Sequence, residues 1–289
     1  MNPLDLVKLT TLMERTSGRP EIVVGLIDGP VAISHPDFAG ANIREVPGNM
    51  QGSCAQAGST ACMHGTFVAG ILCARRDSPA PACCPHCTLL VRPIFADSAP
   101  ESGQTPSATP EELATAIAEC IDAGARVMNL SVALSQPSSR GERDLEEALD
   151  YATQRGVIAV AAAGNQGTIG SSVITRHPWV IPVAACDLQG RPISYSNLGS
   201  SIGRRGLSAP GENVTSLGAH GTPLTLSGTS VAAPFVTGSI ALLWSSFPTA
   251  TATQVRFAVT QAYATRRTSV VPPLLDAWAA HQAMVRAHP

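Results

Sequence analysis

Residues Val157 to Ala163 read Val-Ile-Ala-Val-Ala-Ala-Ala, an unbroken apolar run between Gly156 and Gly164. A strand with one wet face alternates polar and apolar residues, whereas an unbroken run needs cover on both faces. The preceding segment supplies some of that cover. Asp144 to Arg155 brings Leu145, Leu149 and Ala152 onto one helical stripe and stops at Gly156. A covered strand fed by an amphipathic helix is the repeating unit of a mostly parallel sheet.

The same unit recurs along the chain. Ile22 to Ile27 and Thr88 to Phe95 read as buried strands, with a helix around Gly65 to Ala74 between them. Thr109 is placed as an N-cap, Pro110 as the first helical residue, and Glu111 and Glu112 complement the helix dipole. Leu113, Ile117 and Ile121 form that helix's apolar stripe, and Gly124 ends it before a strand over Arg126 to Ser131. Trp179 to Ala185 adds a further strand. Beyond a Gly/Ser/Pro-rich region come helices from Ser230, near Ala252 to Ala262 and near Leu274 to Val285. Ser78 to Cys87 and Ser98 to Ser107 read as surface loops. The expectation is one three-layer α/β domain over residues 1–289, with residues 1–20 as an N-terminal extension.

Charge and composition narrow the function. A formal net charge of −2 gives no footprint for nucleic acid or an anionic membrane, and 4% aromatic residues give few stacking platforms. Val231 to Ser245 is broken by Pro234, Thr237 and Gly238 and falls short of the roughly 20 residues of a membrane span. The N-terminus lacks the charged-then-apolar order of a secretory signal, so the expected location is the cytoplasm. Eight cysteines pull the other way, because cytosolic thiols are normally reduced.

Three segments set a reactive side chain where a strand or helix ends. They are Ile27-Asp28-Gly29-Pro30, the run His64-Gly65-Thr66-Phe67-Val68-Ala69-Gly70, and Ser227-Gly228-Thr229-Ser230-Val231-Ala232-Ala233-Pro234. The histidine and the serine are both read at helix starts. Taken singly, Asp28 is as readily a turn residue, His64 a surface histidine and Ser230 an N-cap. Taken together, and with Ala161-Ala162-Ala163-Gly164-Asn165-Gln166-Gly167, they resemble the catalytic and oxyanion motifs of the subtilase family, in that family's order Asp, His, Ser. The resemblance spans about Ile22 to the last helix and implies a subtilisin-like fold and a serine endopeptidase.

In such an enzyme a serine hydroxyl, weak at neutral pH, needs His64 to take its proton, and Asp28 to hold the imidazole tautomer. Asn165 and the Ser230 backbone N–H would donate to the oxyanion. Pro234 reads as tolerated within the first turn of its helix. By resemblance, Ser131, Val132, Ala133, Ala162, Ala163 and Gly164 flank the primary specificity pocket, and a peptide or protein substrate lies there as an added strand. Ala133 and Leu134 replace glycines common in relatives and narrow the more distant pockets. Gln166 at the pocket rim argues against selection of a charged residue. No cofactor or metal is expected, and the oxygen-rich calcium sites of secreted relatives are not legible.

Asp28-Gly29-Pro30-Val31 resembles the subtilases that mature cyanobactins and similar ribosomal peptides. Those act inside cells on precursor peptides, which suits both the absent signal and the short stretch before Asp28. Only 36 positions separate Asp28 from His64, leaving no room for the helical lid of the family's cyclases, so hydrolysis is expected. A macrocyclase and a peptide-binding pseudoprotease are the alternatives. Cys54, Cys62, Cys73, Cys83, Cys84 and Cys87 bracket the His64 segment, and Cys84-Pro85-His86-Cys87 has half the spacing of a zinc site. With no second C-x-x-C pair, disulfides or free thiols are favoured over zinc and over a zinc hydrolase. Cys120 and Cys186 read as small buried apolar residues. His35 reads as structural, and His177, His220, His281 and His288 carry no motif.

Overall fold

The structure, a computed structural model, describes residues 2–48, 50–95, 108–131, 141–260 and 268–287. The expectations for Ser98 to Ser107, Val132, Ala133, Leu134, His288 and the end of the Ala252 helix lie outside the described residues.

Seven strands form one sheet: β1 (Val23–Asp28), β2 (Asn42–Glu45), β3 (Thr88–Pro93), β4 (Val127–Leu130), β5 (Ile158–Ala162), β6 (Ile181–Cys186) and β7 (Leu207–Pro210). Their order is β2-β3-β1-β4-β5-β6-β7, and every pairing is parallel. A separate antiparallel hairpin joins β8 (Val214–Leu217) and β9 (Pro223–Leu226). The helices are α1 (Pro3–Leu6), α2 (Leu9–Met13), α3 (Thr60–Cys73), α4 (Pro110–Asp122), α5 (Glu142–Arg155), α6 (Val173–Arg176), α7 (Ser200–Arg205), α8 (Thr229–Ser246), α9 (Ala252–Thr260) and α10 (Ala277–Ala287). The three-layer α/β architecture is the one expected.

The apolar run in β5 serves both faces. Ile158 and Val160 join the core that holds Phe67 and Ile71 of α3 with Phe235, Ile240 and Trp244 of α8. Ala159 and Ala161 join the opposite core with Leu113, Ile117 and Ile121 of α4 and Leu145, Leu149 and Ala152 of α5. Each fully buried Leu, Ile or Phe contributes about 1.5–3 kcal/mol, so α3 and α8 are firmly seated on one face. The capping box of Thr109 and Glu112 starts α4, and the left-handed Gly156 (φ +66°) ends α5, both at the expected positions. No described helix is long and apolar enough to cross a membrane.

The edge strand β2, Asn-Ile-Arg-Glu, and the exposed hairpin strand β9 carry no apolar run, which is why periodicity missed them. The N-terminal residues pack onto the domain. Val7, Leu9 and Leu12 are fully buried, and the Val7 carbonyl accepts the Ala277 N–H at 3.0 Å, tying the segment to α10.

Ser78 to Cys87 also departs from the surface-loop reading. Ala82, Cys83, Cys84 and Cys87 are buried, and the N–H groups of Cys83 and Cys84 donate to the Ile71 and Leu72 carbonyls at 2.8 and 2.7 Å. The segment caps the C-terminal turn of α3, giving its otherwise orphaned carbonyls partners.

One disulfide joins Cys54 to Cys62, Cα to Cα 5.6 Å. It ties the loop that pairs with Val31 (Val31 N–H to Gly52 O, 2.8 Å; Cys54 N–H to Val31 O, 3.1 Å) to the first turn of α3. Closing so short a loop restricts the unfolded chain by about 2–3 kcal/mol. Reductant, or Cys54→Ser, is therefore expected to lower stability by that amount, read as a shifted denaturant midpoint at unchanged slope. An unchanged midpoint contradicts this.

Candidate active site

Asp28 ends β1, the third strand of the sheet, and is fully buried. Glycine shapes the turn that comes next. A Cβ on Gly29 would sit 2.0 Å from the Ala61 carbonyl oxygen, and one on Gly65 would sit 2.4 Å from the carbonyls of Gly29 and Pro30. Helix α3 thus rests backbone to backbone on the turn after Asp28, and His64, the neighbour of Gly65, is carried to the carboxylate. The helix begins one turn earlier than expected, because Ser59 caps it by accepting the Cys62 N–H at 3.1 Å. His64 therefore occupies the second turn, where its position is braced from both sides, rather than the frayed start.

Ser230 is the second residue of α8. The N-cap Gly228 takes φ +148°, and a Cβ there would approach Asn165 Nδ2 to 3.1 Å. Pro234 lies deeper than the first turn. Its missing N–H is the one that would reach the Ser230 carbonyl, so the proline removes a hydrogen bond from the reactive residue's own peptide.

These elements bring three side chains into line. His64 Nδ1–H donates to Asp28 Oδ1 at 2.7 Å, and Ser230 Oγ–H donates to His64 Nε2 at 2.9 Å. Gly29 N–H also donates to Asp28 Oδ1, at 2.6 Å, while buried Oδ2 has no partner among the described residues. The His64 side chain is 27% exposed, so a substrate can reach it. Burial lowers its pKa, but the Asp28 charge and hydrogen bond raise it and together prevail, leaving it above 6.5. A hydroxyl, an imidazole and a carboxylate so linked can move a proton from oxygen to nitrogen without leaving an uncompensated charge.

Asn165 stands at the crest of the loop after β5, close to the start of α8. Its Oδ1 accepts both the N–H (2.9 Å) and the hydroxyl (3.0 Å) of Thr229, while the Thr229 hydroxyl accepts the Gly164 N–H at 3.1 Å. With Oδ1 so engaged, Nδ2 is the end of the amide without a partner among the described residues. Thr229 lay within the serine motif, yet residue type alone gave no sign that it orients the asparagine.

Among the segments expected to hold substrate, Ser131 is buried at the end of β4, and its Oγ accepts Asn129 Nδ2–H at 2.6 Å. Thr237 of α8 donates to Asn129 Oδ1 at 2.9 Å, which couples this strand end to the serine helix. Sequence pattern singled out neither Asn129 nor this role of Thr237. The N–H groups of Ala163 and Gly164 are already used inside the fold, by the Val183 carbonyl (3.0 Å) and Thr229. The N–H groups of residues 163 and 164 are therefore not open donors to an added strand.

The remaining chemistry-bearing residues lie elsewhere. His35 caps a short turn by accepting the Asp37 N–H at 3.1 Å. Cys73, Cys83, Cys84, Cys87, Cys120 and Cys186 are free and buried. Burial pushes the thiols of Cys83, Cys120 and Cys186 up to about 12, so they remain protonated and inert. The described residues contain no cluster of three or more groups able to hold a metal ion.

Comparison with known proteins places this geometry. The model of the subtilase family matches residues 19–274. Subtilisin DY of Bacillus licheniformis is 31% identical over 258 residues, covering 88% of this chain and 87% of the relative. Among solved structures, the protease domain of PatA superposes with a TM-score of 0.84 at 31% identity, over 93% of this chain and 97% of that one. The prenylagaramide maturation protease PagA superposes with a TM-score of 0.81 at 29% identity, over 95% and 98%.

Proposed function

This chain belongs to the subtilase family and is a subtilisin-like serine peptidase, and from that premise we propose that Ser230, His64 and Asp28 hydrolyse a peptide bond through an acyl-enzyme on Ser230. The observation that carries the reading is the unbroken hydrogen-bond path from Asp28 through His64 to Ser230, beside an amide whose nitrogen has no partner among the described residues. His64 Nε2 takes the hydroxyl proton as Ser230 Oγ attacks the carbonyl carbon, and Asp28 stabilises the imidazolium. Asn165 Nδ2–H and the Ser230 N–H, which has no intrahelical acceptor at the second helical position, donate to the developing oxyanion. The protonated His64 then delivers its proton to the leaving amine. In the second half it takes a proton from water as the water oxygen attacks the ester. It then returns that proton to Ser230 Oγ as the ester C–O bond breaks and the acid leaves.

The substrate proposed is a ribosomally made precursor peptide, bound extended along Ser131 and the residues after it. Likeness to the PatA protease domain and to PagA, a maturation protease, supports this, as does the segment Asp28-Gly29-Pro30-Val31. The short spacing from Asp28 to His64 favours release to water over ring closure. Incubation with precursor-type and unrelated peptides, read by mass spectrometry, tests both points. Linear fragments from the precursor type, absent with Ser230→Ala, are expected. A cyclic core as the main product would overturn hydrolysis, and indifference between the two peptide sets would overturn the precursor assignment.

The raised His64 value gives a pH prediction. Only neutral imidazole accepts the serine proton, so activity grows as pH rises through the folded value. The acid limb of kcat/KM is expected above 6.5, the ordinary histidine value. A limb below that value would contradict the Asp28–His64 coupling.

A further inference from the structure

Asn197 carries more of the site's local order than any motif suggested. Its Oδ1 accepts three donors from the loop after β5: the N–H of Gln166 at 3.0 Å, and the N–H and hydroxyl of Thr168, both at 3.1 Å. Its Nδ2 donates to the Ala163 carbonyl at 3.2 Å and to Gln166 Oε1 at 2.6 Å. Its backbone N–H donates to the Gly164 carbonyl at 2.9 Å. One residue therefore grips the chain on both sides of Asn165, two positions before it and three after it.

The grip is close and well anchored. Gly164 takes φ +105°, and a Cβ there would lie 2.4 Å from Asn197 Nδ2, so glycine is what lets the side chain reach the loop. Behind Asn197, the Ser196 Oγ accepts the Ala185 N–H at 3.1 Å, which fastens this corner to β6 in the buried sheet. Gly167 N–H to Tyr195 O (2.8 Å) and Leu198 N–H to Thr168 O (3.0 Å) complete the join. Asn165 is itself exposed, and among the described residues its side chain holds only Thr229. Besides the direct lead from β5 and the Thr229 contact, a second path from the rigid sheet to its backbone runs through Asn197.

We propose that Asn197 is the positioning residue of the oxyanion donor: it fixes the loop 163–168 so that Asn165 presents Nδ2 to the oxygen forming beside Ser230. The proposal rests on the reading of Asn165 given above. A donor helps only when it already stands 2.7–3.1 Å from where the oxyanion will be, and a displacement of about 1 Å costs on the order of 10²-fold in rate. The ground-state substrate makes little use of that donor, so loss of Asn197 falls on kcat and spares KM. A side chain that merely braced an exposed loop would instead lower stability and leave turnover alone.

The test is a double-mutant cycle between Asn197→Ala and Asn165→Ala, with kcat and KM measured on one cleavable peptide per titrated active site. Asn197→Ala is expected to lower kcat by about 10–100-fold, with KM within about twofold, bounded by the 10²–10³ known for loss of the asparagine donor in subtilisin. In the Asn165→Ala background the same change should cost less than about threefold, because the group it serves is gone. Asn197→Asp keeps the three acceptor contacts, loses the two donated ones and should fall between wild type and Asn197→Ala. It also serves if the alanine variant does not fold. Losses that multiply in the double variant, or a lowered melting temperature with unchanged kcat, overturn the proposal. If Asn165→Ala alone leaves kcat unchanged, the oxyanion reading falls first, and the proposal with it.

Discussion

Ser230→Ala is expected to lower kcat on a cleavable peptide by about 10⁶, the scale found when subtilisin loses its nucleophile. One oxygen accounts for a loss of that size. Without Oγ no acyl-enzyme forms, and His64 has nothing to deprotonate except water, which is held by no comparable geometry. What remains is binding and the oxyanion donors, together worth about 10³–10⁴ over solution. The fold should hardly notice. Ser230 is half-buried at the mouth of α8, whose seat comes from Phe235, Ile240, Leu243 and Trp244. Melting within about 0.5 kcal/mol of wild type is expected, as for a surface substitution away from any packed feature. Single-turnover kinetics on the same peptide check this, and a loss below about 100-fold would mean that another group attacks.

Asp28→Asn is expected to cost about 10⁴ in kcat, the loss known for the equivalent change in another serine-protease fold. The physical cause is the tautomer. Asp28 Oδ1 accepts from both His64 Nδ1 and Gly29 N–H. In asparagine the one oxygen can keep both donors only by burying the NH₂ at the Oδ2 position, which has no partner among the described residues, or else the amide flips. The NH₂ then faces His64 Nδ1, which turns acceptor and moves the ring proton to Nε2, the atom that must be bare to receive the serine proton. Both influences that raise the His64 pKa vanish as well, leaving burial alone to lower it. Wild-type His64, with its raised folded value, stabilises the fold fully below 6.5, and that contribution is lost as pH rises through the folded value. The variant should lose this dependence, together with the acid limb above 6.5. Parallel pH profiles of kcat/KM and of unfolding free energy measure both.

The sequence spoke clearly where one residue type serves one purpose. Val157 to Ala163 has no use except inside a two-sided core, and the Thr109 cap, Pro110 and Gly156 punctuate helices by their own backbone chemistry. Asp28, His64, Ser230 and Asn165 announced themselves as an ordered set, and the structure brings all four to one place. Silent were the residues whose role depends on partners far along the chain. Thr229, Asn129, Thr237 and Asn197 are ordinary polar residues until folding sets them against Asn165, Ser131 and the loop after β5. The helix start before His64 was missed by one turn because the Ser59 cap precedes weakly patterned residues. The cysteine segment looked like a loop because its burial comes from capping α3, not from periodicity. The polar hubs and the capping of the α3 C-terminus are tertiary facts, and short-range pattern carries no trace of them.

A fluorophosphonate, which reacts with an activated serine hydroxyl, tests the central claim most directly, with the modified residue located by peptide mapping. One equivalent on Ser230 is expected, its rate rising as pH passes through the His64 value and collapsing in His64→Ala. Label on a different residue, or none in protein shown to be folded, would contradict the account.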